Sequence, residues 1–151
     1  VCDVTEVAGT PIDQVVIGSC TNGRLDDLRQ AAAILEGKRV KSGVRCLILP
    51  ASSDVLREAT AEGTVLKLMD AGCIILNANC GPCMGNHEGA LAPGEKALSS
   101  ANRNFKGRMG CKDAEIYLGS PASCAAASVT GEISDVRELV SPEVLIAGQE
   151  V

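Results

Sequence analysis

Gln14-Val15-Val16-Ile17-Gly18-Ser19-Cys20-Thr21-Asn22-Gly23-Arg24 is the stretch on which the fold turns. Its apolar part is short and β-branched, and Gly18-Ser19 breaks it, the pattern of a buried strand running into a turn. A helix is expected next. Leu25, Leu28, Ala32 and Leu35 keep a 3–4 spacing, and Asp26 and Asp27 stand in the first turn, where the helix dipole favours anions. Gly37 is placed as the stop, and Thr21 or Asn22 is available as the cap.

The unit repeats downstream. Val44 to Leu49 predicts a second strand halted by Pro50, and Ser52 or Ser53 caps a helix that breaks near Gly63, resumes from Thr64 to Ala71 and is closed by Gly72. Cys73 to Leu76 predicts a third buried strand, and the Gly/Pro/Asn-rich stretch from Asn77 to Gly89 a long loop with little helix. Ala97 to Ala101 reads as extended and Glu115 to Leu118 as a clearer strand. Ser120-Pro121 then opens a helix that ends at Gly131, with Ser as cap, Pro at the first helical position and Gly past the end. The last twenty residues are polar and mixed, as in a surface segment or the approach to a linker. Strands alternating with helices predict an α/β fold, a three-layer α/β/α domain with a mostly parallel sheet. Ligands of such sheets bind beyond the carboxyl ends of the strands. Cys20, the Cys80/Cys83 pair and Ser120 each follow a strand, so one edge is expected to gather them.

The length of 151 residues and a 46% hydrophobic content suit one domain with a single core. A start at Val1 and a pattern regular only from Val15 suggest a piece of a larger protein. A net charge of −5, with Phe105 and Tyr117 the only aromatics, argues against a nucleic-acid partner, which wants basic surface and stacking platforms. No apolar run reaches the ~20 residues of a membrane span and no secretory pattern opens the chain, so a cytoplasmic location is expected. Eight cysteines in a chain large enough to fold on its core point away from a disulfide framework. Cys46 and Cys73 lie in apolar runs, where thiols serve as small hydrophobes.

Cys80-Gly81-Pro82-Cys83 alone serves zinc sites, redox dithiols and iron-sulfur clusters alike. Cys20 narrows the choice. A structural zinc takes four ligands and a second C-x-x-C is missing, although His87 could complete a set. Redox pairs usually open a helix, whereas Gly81, Pro82 and Gly85 suit a loop wrapped round a bulky inorganic core. Three thiolates on a cubane leave one iron open, a Lewis acid able to bind a substrate hydroxyl. Cys73 or Cys111 could close it, but neither has the loop context of the other three. In Asn102-Arg103-Asn104-Phe105-Lys106-Gly107-Arg108, the guanidinium groups of Arg103 and Arg108 can bind carboxylates bidentately, and Asn102 or Asn104 can add neutral hydrogen bonds. The Gly18–Gly23 turn lacks the spacing of a nucleotide-binding loop. Its Ser19, Thr21 and Asn22 are better read as caps and as donors to cluster sulfurs or a carboxylate. A single histidine makes a serine hydrolase built on Ser120, Ser123 or Ser128 a poor reading.

Together these motifs, with Tyr117-Leu118-Gly119-Ser120-Pro121-Ala122 and Ala125 to Gly131, resemble the aconitase superfamily over most of the chain. They look most like its branch of isopropylmalate isomerase and homoaconitase large subunits. The resemblance implies the iron-sulfur domain fold of that family. It also implies a hydro-lyase that removes water from a hydroxy-di- or tricarboxylate and returns it at the neighbouring carbon, with 3-isopropylmalate to 2-isopropylmalate in leucine biosynthesis favoured, and homoaconitase or dimethylmalate dehydratase activity as alternatives. Cys20, Cys80 and Cys83 match the 4Fe-4S ligands, and Asn102, Arg103 and Arg108 match substrate- or cluster-contacting positions. The catalytic base and the groups that handle the hydroxyl are implied to lie on the remaining large-subunit domains or a small swivelling subunit, so residues 1–151 alone are expected to be inactive. Two departures stand out, Asn77-Ala78-Asn79 before Cys80 and Cys124 in place of a small alanine. From another class, a non-catalytic iron or redox sensor or a structural zinc module would use the same cysteines.

Overall fold

The computed structural model describes residues 1–146. In chain order its elements are α1 (Val4–Val7), β1 (Gln14–Gly18), α2 (Ser19–Asn22), α3 (Leu25–Leu35), β2 (Arg45–Leu49), α4 (Ser53–Ala61), α5 (Thr64–Asp70), β3 (Ile74–Ile75), α6 (Gly81–Met84), β4 (Lys96–Ser99), β5 (Glu115–Leu118), α7 (Pro121–Thr130), α8 (Val136–Leu139) and α9 (Pro142–Ile146). The five strands form one parallel sheet in the order β3-β2-β1-β4-β5. The α/β class and parallel sheet expected from the sequence are those observed.

β1 is buried along its whole length because it carries a layer on each face. Val15 and Ile17 point into the larger cluster, with Leu28, Ala31 and Leu35 of α3, Leu68 of α5 and Ala125 of α7. Val16 points the other way, to Leu47, Leu49, Cys83, Leu91 and Met109. The longer helices therefore share one face. The second face is covered by the segments joining β3 to β4 and β4 to β5, with α6 as a single turn among them. This division follows from handedness: after β3 the chain crosses to the far side of β1, and right-handed crossovers in that direction fall on the opposite face.

Four local expectations need correction. Thr21 and Asn22 do not cap the first long helix. They belong to α2, and α3 starts after Arg24, whose N–H donates to the Asp27 carboxylate at 3.0 Å. The third strand is not fully buried. β3 is a two-residue edge strand paired only with β2, and Ile74 is 47% exposed. The loop after it contains α6, which winds through Cys83. The polar end of the chain forms α8 and α9, and Val144 and Leu145 pack on the core while Gln30 Nε2 donates to the Leu145 carbonyl at 3.0 Å. The remainder of that segment lies outside the described residues. Cys46 and Cys73 are buried core residues, as expected.

Candidate functional site

The first site segment leaves β1 under tight constraint. A Cβ on Gly18 would lie 2.0 Å from the Leu49 carbonyl oxygen, and one on Gly23 2.3 Å from the same atom, so the turn is pressed onto the end of β2. Ser19 adopts φ +79°, a left-handed conformation that is costly for a side chain with a Cβ and persists only where the surroundings enforce it. Its Oγ is buried with no partner. Cys20 follows at the surface. Across the sheet, Gly18 N donates to Ser100 Oγ at 2.9 Å and Asn22 Nδ2 donates to the Ser100 carbonyl. Between β1 and β4 the strand order reverses, the place where open α/β sheets leave a crevice at their carboxyl edge.

The second segment follows β3. Cys80 caps α6 and is exposed, whereas Cys83 is 5% exposed. The turn is closed by Gly85 at φ +71°, where a Cβ would meet Gly110 N at 2.4 Å. Asn79 Nδ2 donates to Glu88 Oε2 and to the Asn77 carbonyl, both at 2.8 Å, tying together the two sides of the cysteine turn. His87 Nδ1 lies 3.3 Å from Glu88 Oε2, so its ring pairs with that carboxylate. Because Cys80 and Cys83 do sit at the start of a helical turn, the local-shape argument against a dithiol falls away.

The third segment follows β4. Ser99, Ser100 and Ala101 are buried, and the chain emerges at Asn102 and Arg103. Asn102 Oδ1 is 4.0 Å from Cys83 Sγ, and Arg108 Nη2 is 3.9 Å from the same sulfur. The Arg108 guanidinium also stands 5.4 Å from the Phe105 ring centroid, a cation–π contact, while its Nε is buried without a partner. Asn104 turns away, donating from Nδ2 to the Ile116 carbonyl at 3.1 Å and so anchoring the loop to β5. Among the described residues Arg103 makes no ion pair. Ser120 caps α7, its Oγ accepting from Ser123 N at 3.1 Å, and Cys124 is wholly enclosed, where burial pushes its thiol up. Cys124, which stands in place of a small alanine, is thus a core residue.

The donor chemistry fits a sulfur-rich anionic cofactor. Two N–H or O–H groups, Ser19 Oγ and Arg108 Nε, are buried with no acceptor, and a cationic fork already approaches the Cys83 sulfur. Among the described residues no three His, Cys, Asp or Glu side chains converge closely enough to share one metal ion. A cubane sets its thiolates on separate irons and makes no such demand. Ser100, Asn79 and Glu88 are not marked as site residues by the sequence: a serine after an apolar run does not reveal its cross-strand partner, and the Asn79–Glu88 bond leaves no motif.

The family model "Aconitase family (aconitate hydratase)" matches residues 3–131. The chain is 54% identical over 136 residues to the 3-isopropylmalate dehydratase large subunit of Oleidesulfovibrio alaskensis, a span of 90% of the chain and 32% of that protein. It is 54% identical over 142 residues to the homoaconitase large subunit of Thermus thermophilus, covering 94% of the chain and 34% of that protein. Identity to the 3-isopropylmalate dehydratase large subunit 2 of Archaeoglobus fulgidus is 52% over 140 residues, 93% of the chain and 34% of the relative. The chain spans about a third of the length of these curated relatives. Among the described residues no helix is long and apolar enough to cross a membrane.

Proposed function

The chain belongs to the aconitase family, and on that premise we propose that it is the cluster-binding domain of a cytoplasmic hydro-lyase large subunit that isomerises a hydroxy-dicarboxylate by dehydration and rehydration. 3-Isopropylmalate is the favoured substrate, with the homoaconitase substrate as the alternative, since relatives named for each are equally similar. The observation that carries the proposal is the approach of Arg108 and Asn102, from the segment after β4, to the Cys83 sulfur, beside a β1 turn that is itself bonded to Ser100.

Cys20, Cys80 and Cys83 would hold a 4Fe-4S cluster. When bound, that cluster supplies a Lewis-acidic iron for the departing hydroxyl. Ser19 and Asn22 support the Cys20 turn, with Ser19 Oγ free to donate to a cofactor sulfur. Arg108, held over Phe105, presents a preorganised fork to a carboxylate; Arg103 adds a second cation at the mouth, and Asn102 a neutral donor. Loss of a proton from the substrate carbon needs a base, which this reading places on the remaining large-subunit domains or on a small subunit.

The test is the full-length protein, prepared anaerobically with its small subunit and assayed against a panel of malate derivatives alongside iron and sulfide analysis. Turnover of 3-isopropylmalate, with iron and sulfide lost in Cys20→Ser, Cys80→Ser and Cys83→Ser, is expected. A protein that takes up one zinc tightly and no sulfide would overturn the reading.

A further inference from the structure

Away from the candidate site, two thiols meet in the core. The Sγ atoms of Cys46 and Cys73 are 3.6 Å apart. Their meeting follows from strand register: Leu47 pairs with Ile74 and Ile48 with Ile75, so the preceding residues, Cys46 and Cys73, stand abreast on neighbouring parallel strands. Both side chains belong to the cluster on the helix-covered face. Abreast positions on adjacent strands suit the ~4.4–6.8 Å Cα separation of disulfides, and sulfurs already in contact need only a small side-chain rotation to reach the bonded distance of ~2.05 Å.

Access is unequal, and this gives the pair an order of reaction. Cys46 is 1% exposed and Cys73 8%. Cys73 enters the outermost strand, which is held by only two ladder residues and preceded by the exposed Gly72. Such an edge opens locally at lower cost than the centre of the sheet. The contact with Cys73 and its burial push the Cys46 thiol up, so Cys46 stays protonated at neutral pH.

We propose that Cys46 and Cys73 form a peroxide-oxidisable dithiol that closes into a disulfide across β2 and β3. Opening at β3 exposes Cys73, whose thiol gives its proton to water as the sulfur attacks a peroxide oxygen. The O–O bond breaks, leaving a sulfenic acid, and the departing hydroxide is protonated to water. Cys46 sulfur then attacks Cys73 sulfur, the S–O bond breaks, and the second water leaves with the Cys46 proton. Two electrons pass from the two sulfurs to one peroxide, giving one disulfide and two waters. The bond pins the weakest strand of the sheet, from which the chain runs on to Cys80. This proposal stands on the β2–β3 register and does not depend on any cofactor at the carboxyl edge.

The experiment is peptide mapping of the intact full-length protein after hydrogen peroxide, with dithiothreitol-treated protein as control and free thiols alkylated after unfolding. Trypsin cuts after Arg45, Arg57, Lys67 and Lys96. The expected product is peptide 46–57 linked to peptide 68–96, with fragment ions placing the link on Cys73, accompanied by a rise in Tm that dithiothreitol reverses. Cys73→Ser should abolish the linked species. Recovery of Cys46 and Cys73 as alkylated thiols after peroxide has oxidised the exposed cysteines, or fragment ions placing the link on Cys80 or Cys83, would overturn the proposal. Both results are read on the wild-type protein, so they hold even if the variant fails to fold.

Discussion

At Gly18 the chain tolerates no side chain, because the carbonyl of Leu49 occupies the space a Cβ would need and φ is +119°. Gly18→Ala combines left-handed strain with overpacking against backbone and should cost about 2–5 kcal/mol, measured as a lower urea midpoint. Arg108 sets a different test. Arg108→Lys keeps the charge but loses the fork, and charge-assisted hydrogen bonds of this kind are worth about 1.5–3 kcal/mol. kcat/KM of the full-length enzyme should fall roughly 10- to 100-fold, mainly through KM, with iron content unchanged. Residue type and spacing single out Cys20, Cys80, Cys83, Asn102, Arg103 and Arg108 as candidates from sequence, because cysteines and guanidinium groups have few other reasons to cluster with Gly and Asn. Ser100 was not visible. Its role is to hold the Gly18 amide and Asn22 from a neighbouring strand, and a serine after an apolar run carries no mark of such a partner.

Among the elements, the helix starts are open to direct measurement. Ser52 Oγ accepts from Val55 N at 3.2 Å at the head of α4, so Ser52→Ala should cost about 1 kcal/mol in chemical denaturation. At the amino end of the sheet, Arg45 donates to Glu95 at 2.8 and 2.9 Å and to Gln14 Oε1 at 2.9 Å, while Gln14 Nε2 holds the Gly89 carbonyl at 2.7 Å. Hydrogen bonds from Arg45, then from Ala92 N, lower the Glu95 pKa from its ordinary 4.5. A lowered folded-state pKa means that this stabilisation is complete above about pH 4.5 and is lost as pH falls through the folded value. Glu95→Gln should therefore show a shallower loss of urea midpoint over that acid range than the parent protein. β1, β2 and β5 are legible because short apolar runs, β-branched in β1 and mixed in β2 and β5, end at turn residues. β3 was overextended because an apolar run says nothing of whether its outer side will find a partner. α6 was missed because one turn held by Pro82 and Gly85 is too short to show a period, and α9 because Val144 and Leu145 cover α3 only once the chain has folded back.

For the whole molecule, the chain spans about a third of the length of its curated relatives, and the proposed function puts the proton-transferring base outside it. Residues 1–151 expressed alone should turn over 3-isopropylmalate at least about 10²-fold more slowly than the complete enzyme, since a positioned base typically contributes that much or more, and addition of the other parts should restore the rate. The parallel α/β class was readable from the alternation of elements. Strand order was not, since the sequence pattern does not say on which side of β1 the chain places β4. That placement bonds Gly18 to Ser100, 82 residues apart in sequence. A ribosome adding ~5–20 residues per second separates the appearance of those partners by about 4–16 s. During that interval the Cys20 turn exists without the strand that will flank it, its Gly18 amide and Asn22 side chain still lacking their partner on Ser100. Final shaping of that turn is thereby timed by the chain's own topology.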